Sequence, residues 1–222
     1  MSRGTLITIE GLDGAGKTTL AQTLQRELTA RSTGGRSVEL LREPGGVEVS
    51  ERIRALVKNP TLQVLPRTEV LLYAAARAQL VEERVQPLLR EGAVVLLDRF
   101  VDSSLAYQGA GRALGIEQVR AINLFATGDL VPDRTLLLRI APAEGRSRQL
   151  ERARRHEGAR EPDRLEREGE DFYAQVAAAY DQLAREEPQR IRVIDAAAAP
   201  EQVLADALAA LADLALDRPP HD

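Results

Sequence analysis

Lys17 is one of only two lysines in the chain, the other being Lys58, and it follows a glycine-rich run, Gly11-Leu12-Asp13-Gly14-Ala15-Gly16. With Thr18 the run fits the pattern G-x-x-x-x-G-K-[ST]. Glycines let the chain wrap closely enough for successive backbone N–H groups to converge on phosphate oxygens, at a helix start whose dipole favours anions. Lys17 adds a point charge near the terminal phosphates, and the Thr18 hydroxyl is placed for magnesium. Nucleoside triphosphate binding is the chemistry this predicts.

A second charged pair stands where an apolar run ends, at Val94-Val95-Leu96-Leu97-Asp98-Arg99. Motor and clamp ATPases place a glutamate after the magnesium-ordering aspartate, to polarise a water. Arginine cannot act as a base at any useful pH. Arg99 instead suits a second phosphate, which points to phosphoryl transfer between two bound molecules, with water excluded. A GTP-driven switch would need an Asn-Lys-x-Asp segment, and neither lysine follows an asparagine. From these residues alone, several nucleoside monophosphate or deoxynucleoside kinases remain open, as does a nucleotide-binding regulatory module.

Composition narrows the setting. The chain has 222 residues, 44% hydrophobic and 29% charged, as expected of one α/β domain with a proper core. There is no cysteine and there are two histidines, so disulfides, thiolate catalysis and cysteine zinc sites are excluded. Thirty Lys and Arg against 34 Asp and Glu give a net charge of −4, and no global field favours nucleic acid. The longest apolar run, Val70 to Ala76, is far too short to span a membrane. Met1 to Glu10 has no signal-peptide core or cleavage pattern, so a cytoplasmic location is expected.

Positioning these residues requires alternating elements. Thr5–Glu10 reads as a strand, Thr18–Leu28 as a helix, Val38–Leu41 as a strand ended by Pro44-Gly45-Gly46, and Val49–Val57 as a short helix. Thr68–Arg90 reads as one long helix, and Ala93–Leu97 as a central strand. Then come a helix at Ile116–Ala126, a strand at Thr135–Ile140, a helix at Asp171–Glu187, a strand at Ile191–Ile194 and a closing helix at Pro200–Leu216. The fold class is α/β: a five-stranded parallel sheet with helices on both faces, in the manner of a P-loop kinase. Ligands on such sheets bind at the carboxyl ends of strands. Asp217 to Asp222 reads as a short flexible tail.

Four segments together resemble one family: Glu10 to Thr19, Arg42-Glu43-Pro44-Gly45-Gly46, Ala75-Ala76-Arg77-Ala78-Gln79, and Asp98 to Gly109. The chain resembles bacterial thymidylate kinases from Ile9 to Asp195. The resemblance implies ATP-dependent phosphorylation of dTMP to dTDP, on the way to dTTP, with ATP and Mg2+ and as a homodimer. It implies that Gly11 to Thr19 hold ATP, that Thr18 and Asp98 order the metal, and that Asp13 approaches the acceptor's sugar hydroxyl. By the same resemblance Arg99 grips the acceptor phosphate, Tyr73 stacks on the thymine where the family commonly has phenylalanine, and Arg77 bonds a base carbonyl. Ser104 and Gln108 would read the base, Tyr107 would pack beside the deoxyribose, and Glu43 with Pro44 would shape the floor. Other nucleoside monophosphate kinases share the phosphate loop but not the Ser-Ser-x-x-Tyr-Gln pattern after Asp-Arg.

Between Arg146 and Arg167 eight arginines are interleaved with five acids. A solvated helix face is the ordinary reading of such a run. In the resembling family this stretch, about 142–170 here, is a lid, and members with glycine at the Gly14 position take their catalytic arginine from it. Arg152, Arg154, Arg155 and Arg164 are the candidates.

Overall fold

The computed structural model describes residues 4–32, 35–155, 163–214 and 216. Five strands form one parallel sheet in the order β2-β3-β1-β4-β5, built from β1 (Thr5–Gly11), β2 (Val38–Arg42), β3 (Val94–Asp98), β4 (Arg134–Arg139) and β5 (Ile191–Asp195). The register pairs Ile9 with Asp98 and Gly11 with Leu138, so the carboxyl ends of β1 and β3 lie side by side. That adjacency delivers the phosphate loop and the Asp98-Arg99 pair to one place.

The continuous apolar run of β3 is buried on both faces, as a central parallel strand requires. Leu6, Val95 and Leu97 pack with Leu80, Val85 and Leu89 on one side. Ile7, Val94 and Leu96 join Leu20 and Leu24 of α1 (Lys17–Arg31) on the other. No helix among the described residues is long and apolar enough to cross a membrane.

The helix expected at 68–90 starts earlier, at Pro66, and is interrupted. It runs as α3 (Pro66–Leu80), a π-helical turn (Val81–Val85) and α4 (Gln86–Arg90). Pro87 at the start of α4 has no N–H and crowds the carbonyl four residues back, so the ladder widens there. The closing helix also ends earlier than expected: α9 spans Pro200–Ala209, and a 3-10 turn follows at Ala212–Leu214. Arg134 Nη2 donates to both carboxylate oxygens of Asp213, at 2.9 and 2.7 Å, which draws this end toward the start of β4.

One element was not visible in the periodicity. Val101–Ser104 forms α5 and Leu105–Gly111 continues it as a π-helix, in a stretch whose serines and glycines look like breakers. The remaining helices are α2 (Glu48–Lys58), α6 (Ile116–Thr127), α7 (Pro142–Arg155) and α8 (Glu170–Glu186). The tail at 217–222 lies outside the described residues.

Candidate active site

The phosphate loop joins β1 to α1, and its geometry leaves donors free. Gly16 occupies the N-cap of α1 at φ 90°, makes no side-chain cap, and is followed by a first turn without acids. The helix therefore presents its unpaired N–H groups and the positive end of its dipole to an incoming anion. A Cβ on Gly16 would meet nothing within 4 Å, so this residue is not packed against its surroundings. Gly14 is constrained differently: at φ 84° its Cβ would fall 2.1 Å from the carbonyl oxygen of Gly145 in α7. The loop thus fits tightly under the start of α7, with no room for a side chain at position 14. Leu12 and Ala15 are buried and contribute backbone, whereas Thr19 is exposed on α1.

Lys17 is buried, with Nζ donating to the Leu12 carbonyl at 2.8 Å and lying 3.7 Å from Asp13 Oδ1. Burial, and then Arg99 nearby, pulls its ammonium down to about 8. Thr18 donates its hydroxyl hydrogen to Asp98 Oδ2 at 2.7 Å. This is a pair of hard oxygen donors at the mouth of the phosphate cradle, the set that suits a magnesium ion completed by phosphates and water.

Arg99 follows β3, its N–H bonded to the Ile9 carbonyl at 3.0 Å and its φ at 74°. A non-glycine residue in that region carries strain that surrounding structure must hold. The holding is extensive. Nη2 of Arg99 bonds Asp13, Nη1 bonds Ser103 Oγ at 3.0 Å, and the guanidinium lies 5.0 Å from the centre of the Tyr107 ring. Burial raises the Asp13 carboxyl, but Arg99 and Lys17 outweigh it and hold the group well below the usual carboxylate range. Tyr107 bonds Asp13 through its hydroxyl at 3.3 Å.

Sequence reasoning missed the support under Arg99. Glu10 Oε1 accepts from the Phe100 and Ser103 N–H groups at 2.7 and 3.2 Å, and Oε2 accepts from Ser103 Oγ at 2.5 Å and from Tyr180 at 2.9 Å. The only signals were an acidic residue inside a β-branched strand and a tyrosine in a chain with four.

Tyr73 and Arg77 stand one helical turn apart on α3, and Arg77 reaches Ser104 at the end of α5, ahead of the π-helical stretch that carries Tyr107 and Gln108. Burial, then Glu69 and Asp163, pushes the Tyr73 phenol up. Arg77 is engaged by protein groups. It is 2% exposed, and its donors go to Glu43 Oε2 at 2.7 Å, Ser104 Oγ at 3.0 Å, Asn123 Oδ1 and the Phe100 carbonyl at 2.9 Å. The guanidinium expected on a base carbonyl is here bonded to protein groups, because burial obliges it to satisfy them all. Gln108 is likewise buried, its Nε2 donating to Glu69 at 2.8 Å. Glu43 is buried beside Arg77, burial raising its carboxyl against the guanidinium, and the Glu43-Pro44 peptide is cis.

The lid candidates are dispersed. Arg154 is exposed on α7, the side chains of Arg152 and Arg155 lie outside the described set, and so do residues 156–162. Arg164 is half-enclosed rather than free: Nη1 pairs with Glu69 Oε2 at 2.5 Å and Nε bonds the Val57 carbonyl at 3.2 Å. Lys58, the second lysine, pairs with Asp163 at 2.8 Å. Arg148, a member of the same run, donates to the Ala196 carbonyl at 2.8 Å, joining α7 to the loop after β5.

The thymidylate kinase family model matches residues 9–207 of the chain. The thymidylate kinase of Bacillus licheniformis is 46% identical over 202 residues, covering 90% of this chain and 92% of that protein. That of Deinococcus radiodurans is 44% identical over 213 residues, covering 96% and 98%. Among solved structures, thymidylate kinase from Ehrlichia chaffeensis superposes with a TM-score of 0.72 at 27% identity, covering 94% of this chain and 99% of that one.

Proposed function

The chain belongs to the thymidylate kinase family, and on that premise we propose that it transfers the γ-phosphoryl group of ATP to dTMP, giving ADP and dTDP. The observation that carries this is the meeting of Arg99 with Asp13 and Lys17: a guanidinium fork from β3 stands against the phosphate cradle of the loop. One cradle serves the donor and the fork serves a second phosphate.

ATP lies along Gly11 to Thr19, its terminal phosphates against Lys17 and the free N–H groups of α1. Thr18 and Asp98 would hold Mg2+, which would supply charge neutralisation on the phosphates. Arg99 turns from Asp13 to the dTMP phosphate, and Asp13 is then left facing the acceptor's sugar. Tyr73 stacks on the thymine, Tyr107 closes the sugar side, and Ser104 and Gln108 read the base edge. Arg77, bonded to both Ser104 and Glu43, holds the floor of that pocket with Pro44. The segment 142–170 acts as a lid, and of its candidates Arg152, Arg154, Arg155 and Arg164 the first three are the source of positive charge for the transition state, since position 14 has no room for it and Arg164 is already held by Glu69 and the Val57 carbonyl. The protein acts in the cytoplasm as a homodimer on small molecules, with no role for nucleic acid.

A coupled assay for ADP with dTMP, ATP and magnesium tests the reading. Turnover dependent on dTMP supports it, and equal turnover on AMP or CMP overturns it.

A further inference from the structure

Glu69 sits one helical turn before Tyr73 on α3 and is fully buried, yet it belongs to none of the roles above. Its Oε1 is hydrogen-bonded, and its Oε2 is sealed among arginine nitrogens without a hydrogen bond. Oε1 accepts from Gln108 Nε2 at 2.8 Å and from Arg112 Nε at 3.4 Å. Oε2 lies 2.5 Å from Arg164 Nη1 and 3.3 Å from Arg112 Nη2. With an amide and a guanidinium N–H both donating to it, Oε1 can only accept.

That fixes Gln108. A glutamine side chain has one donating and one accepting end, and either can be turned to a neutral partner. Against an accept-only neighbour just one orientation works, with the NH2 toward Glu69. Gln108 Oε1 takes no hydrogen bond from the described residues and is not among the sealed, unpaired atoms. It is the end left for a ligand. Ser104, one turn away, is fixed in the opposite sense: its oxygen accepts from Arg77 Nη1, which leaves the hydroxyl hydrogen to donate.

We propose that Glu69 is a positioning residue that sets the hydrogen-bonding polarity of Gln108, making the base site select pyrimidines that carry N3–H over those that do not. The site then presents an acceptor beside a donor. Thymine and uracil offer the matching edge, N3–H beside the O4 oxygen. Cytosine offers the reverse, a bare N3 beside an amino group, so both contacts fail and buried polar groups are left unpaired. Such a mismatch is worth roughly ten- to hundredfold in selectivity.

The inference rests on dTMP being the acceptor, and the parent enzyme tests that first: no turnover on dTMP would remove the reading of function itself. Given turnover, the test is Glu69→Gln, whose amide can offer either end to Gln108 and so lets that side chain reverse. The expected result is a rise of tenfold or more in the ratio of kcat/KM for dCMP to that for dTMP. Glu69→Asp, which can still only accept, should keep the parental ratio even where both values fall. In Gln108→Met the ratio should already be relaxed, and adding Glu69→Gln should not change it further. If Glu69→Gln alone does not fold because Arg112 and Arg164 lose their shared carboxylate, the charge-balanced pair Glu69→Gln and Arg164→Gln carries the same expectation. A dCMP to dTMP ratio that stays parental in the folded amide variant, with both activities reduced alike, overturns the proposal and leaves Glu69 as a structural anchor.

Discussion

Tyr180 on α8 donates its phenol hydrogen to Glu10 Oε2 at 2.9 Å, joining residues 170 apart in the chain directly beneath the Arg99 turn. Arg99 reaches the same cluster through Ser103, so the strained backbone that aims its fork is braced by the buried carboxylate of β1. The turn after β3 is therefore held by tertiary bonds and not by its own sequence.

The Glu10 carboxyl is pushed up to about 7, first by burial and then by Asp102, from an ordinary 4.5. The unfolded chain thus gives up this proton at lower pH than the folded one, and stability falls as pH rises from about 4.5 through 7. Glu10→Gln removes that dependence. Denaturant titrations at pH 5 and pH 8 should show the variant gaining on the parent by about 2 to 3 kcal/mol across the interval. Parallel curves would assign the ionisation to other groups.

Lys17 gives a prediction of the opposite charge type. Its ammonium is lowered to about 8 by burial and by Arg99, so the free enzyme loses the charge that meets ATP within reach of ordinary buffers. ATP affinity should weaken as pH rises past 8, by up to about tenfold at pH 9, because only the protonated amine attracts phosphate. Lys17→Met should bind ATP weakly with no such decline and should lose phosphoryl transfer while remaining folded. A decline of equal size in the variant would place the titrating group elsewhere.

Much of this geometry is legible in the sequence because the loop and the Asp98-Arg99 pair are local patterns at strand ends, and parallel order places strand ends together. The strands were visible as short apolar runs, and their ends moved by a residue or so. What local pattern could not give was the set of partners contributed by distant elements. Arg77 reads as a surface-capable helix arginine, and only the approach of Asn123 on α6 and Glu43 after β2 encloses it. The π-helical stretch after α5 was hidden because Gly109 and Gly111 look like breakers, yet Gly109 packs tightly against Ile116 and a side chain at Gly111 would run into Phe172. The π-turn at Val81–Val85 depended on Pro87, a signal that was present but masked by the apolar periodicity around it.

Arg99→Lys should not be a conservative change. The fork now bonds Asp13 and Ser103 at once while lying over the Tyr107 ring, and an ammonium can reproduce only one of those contacts. The expected loss is roughly a hundredfold in kcat/KM for dTMP with ATP affinity nearly kept. Rates near the parent would mean that Arg99 serves the fold alone.

The faces of α3 and α6 that turn away from the sheet carry Leu71, 56% exposed, and Phe125, 92% exposed. Apolar groups that open to water on neighbouring helices fit a two-fold contact between copies of the chain. Sedimentation at micromolar concentration should report a dimer for the parent and a monomer for Phe125→Glu combined with Leu71→Glu. A parental monomer sinks the dimer, and so does a variant that sediments as the parent does.

The last prediction separates the lid arginines by what their removal costs. The transferring phosphoryl group spreads charge over oxygens that Lys17 and the metal cannot all reach, and a cis arginine can contribute on the order of a thousandfold in rate. On the proposed reading Arg99 is taken up by the acceptor phosphate, and Gly14 is closed off by Gly145. Arg154 is exposed on α7, whereas Arg164 is already held by Glu69 and the Val57 carbonyl beside the acceptor pocket. Removing a charge used only in the transition state should lower kcat far more than ATP affinity. One of Arg152→Ala, Arg154→Ala and Arg155→Ala should show that signature. Arg164→Ala should instead raise KM for dTMP more than it lowers kcat, because its bonds support the base site and not the phosphates. If all four variants turn over within a few-fold of the parent, the run is a solvated charged face and the catalytic charge comes from another element.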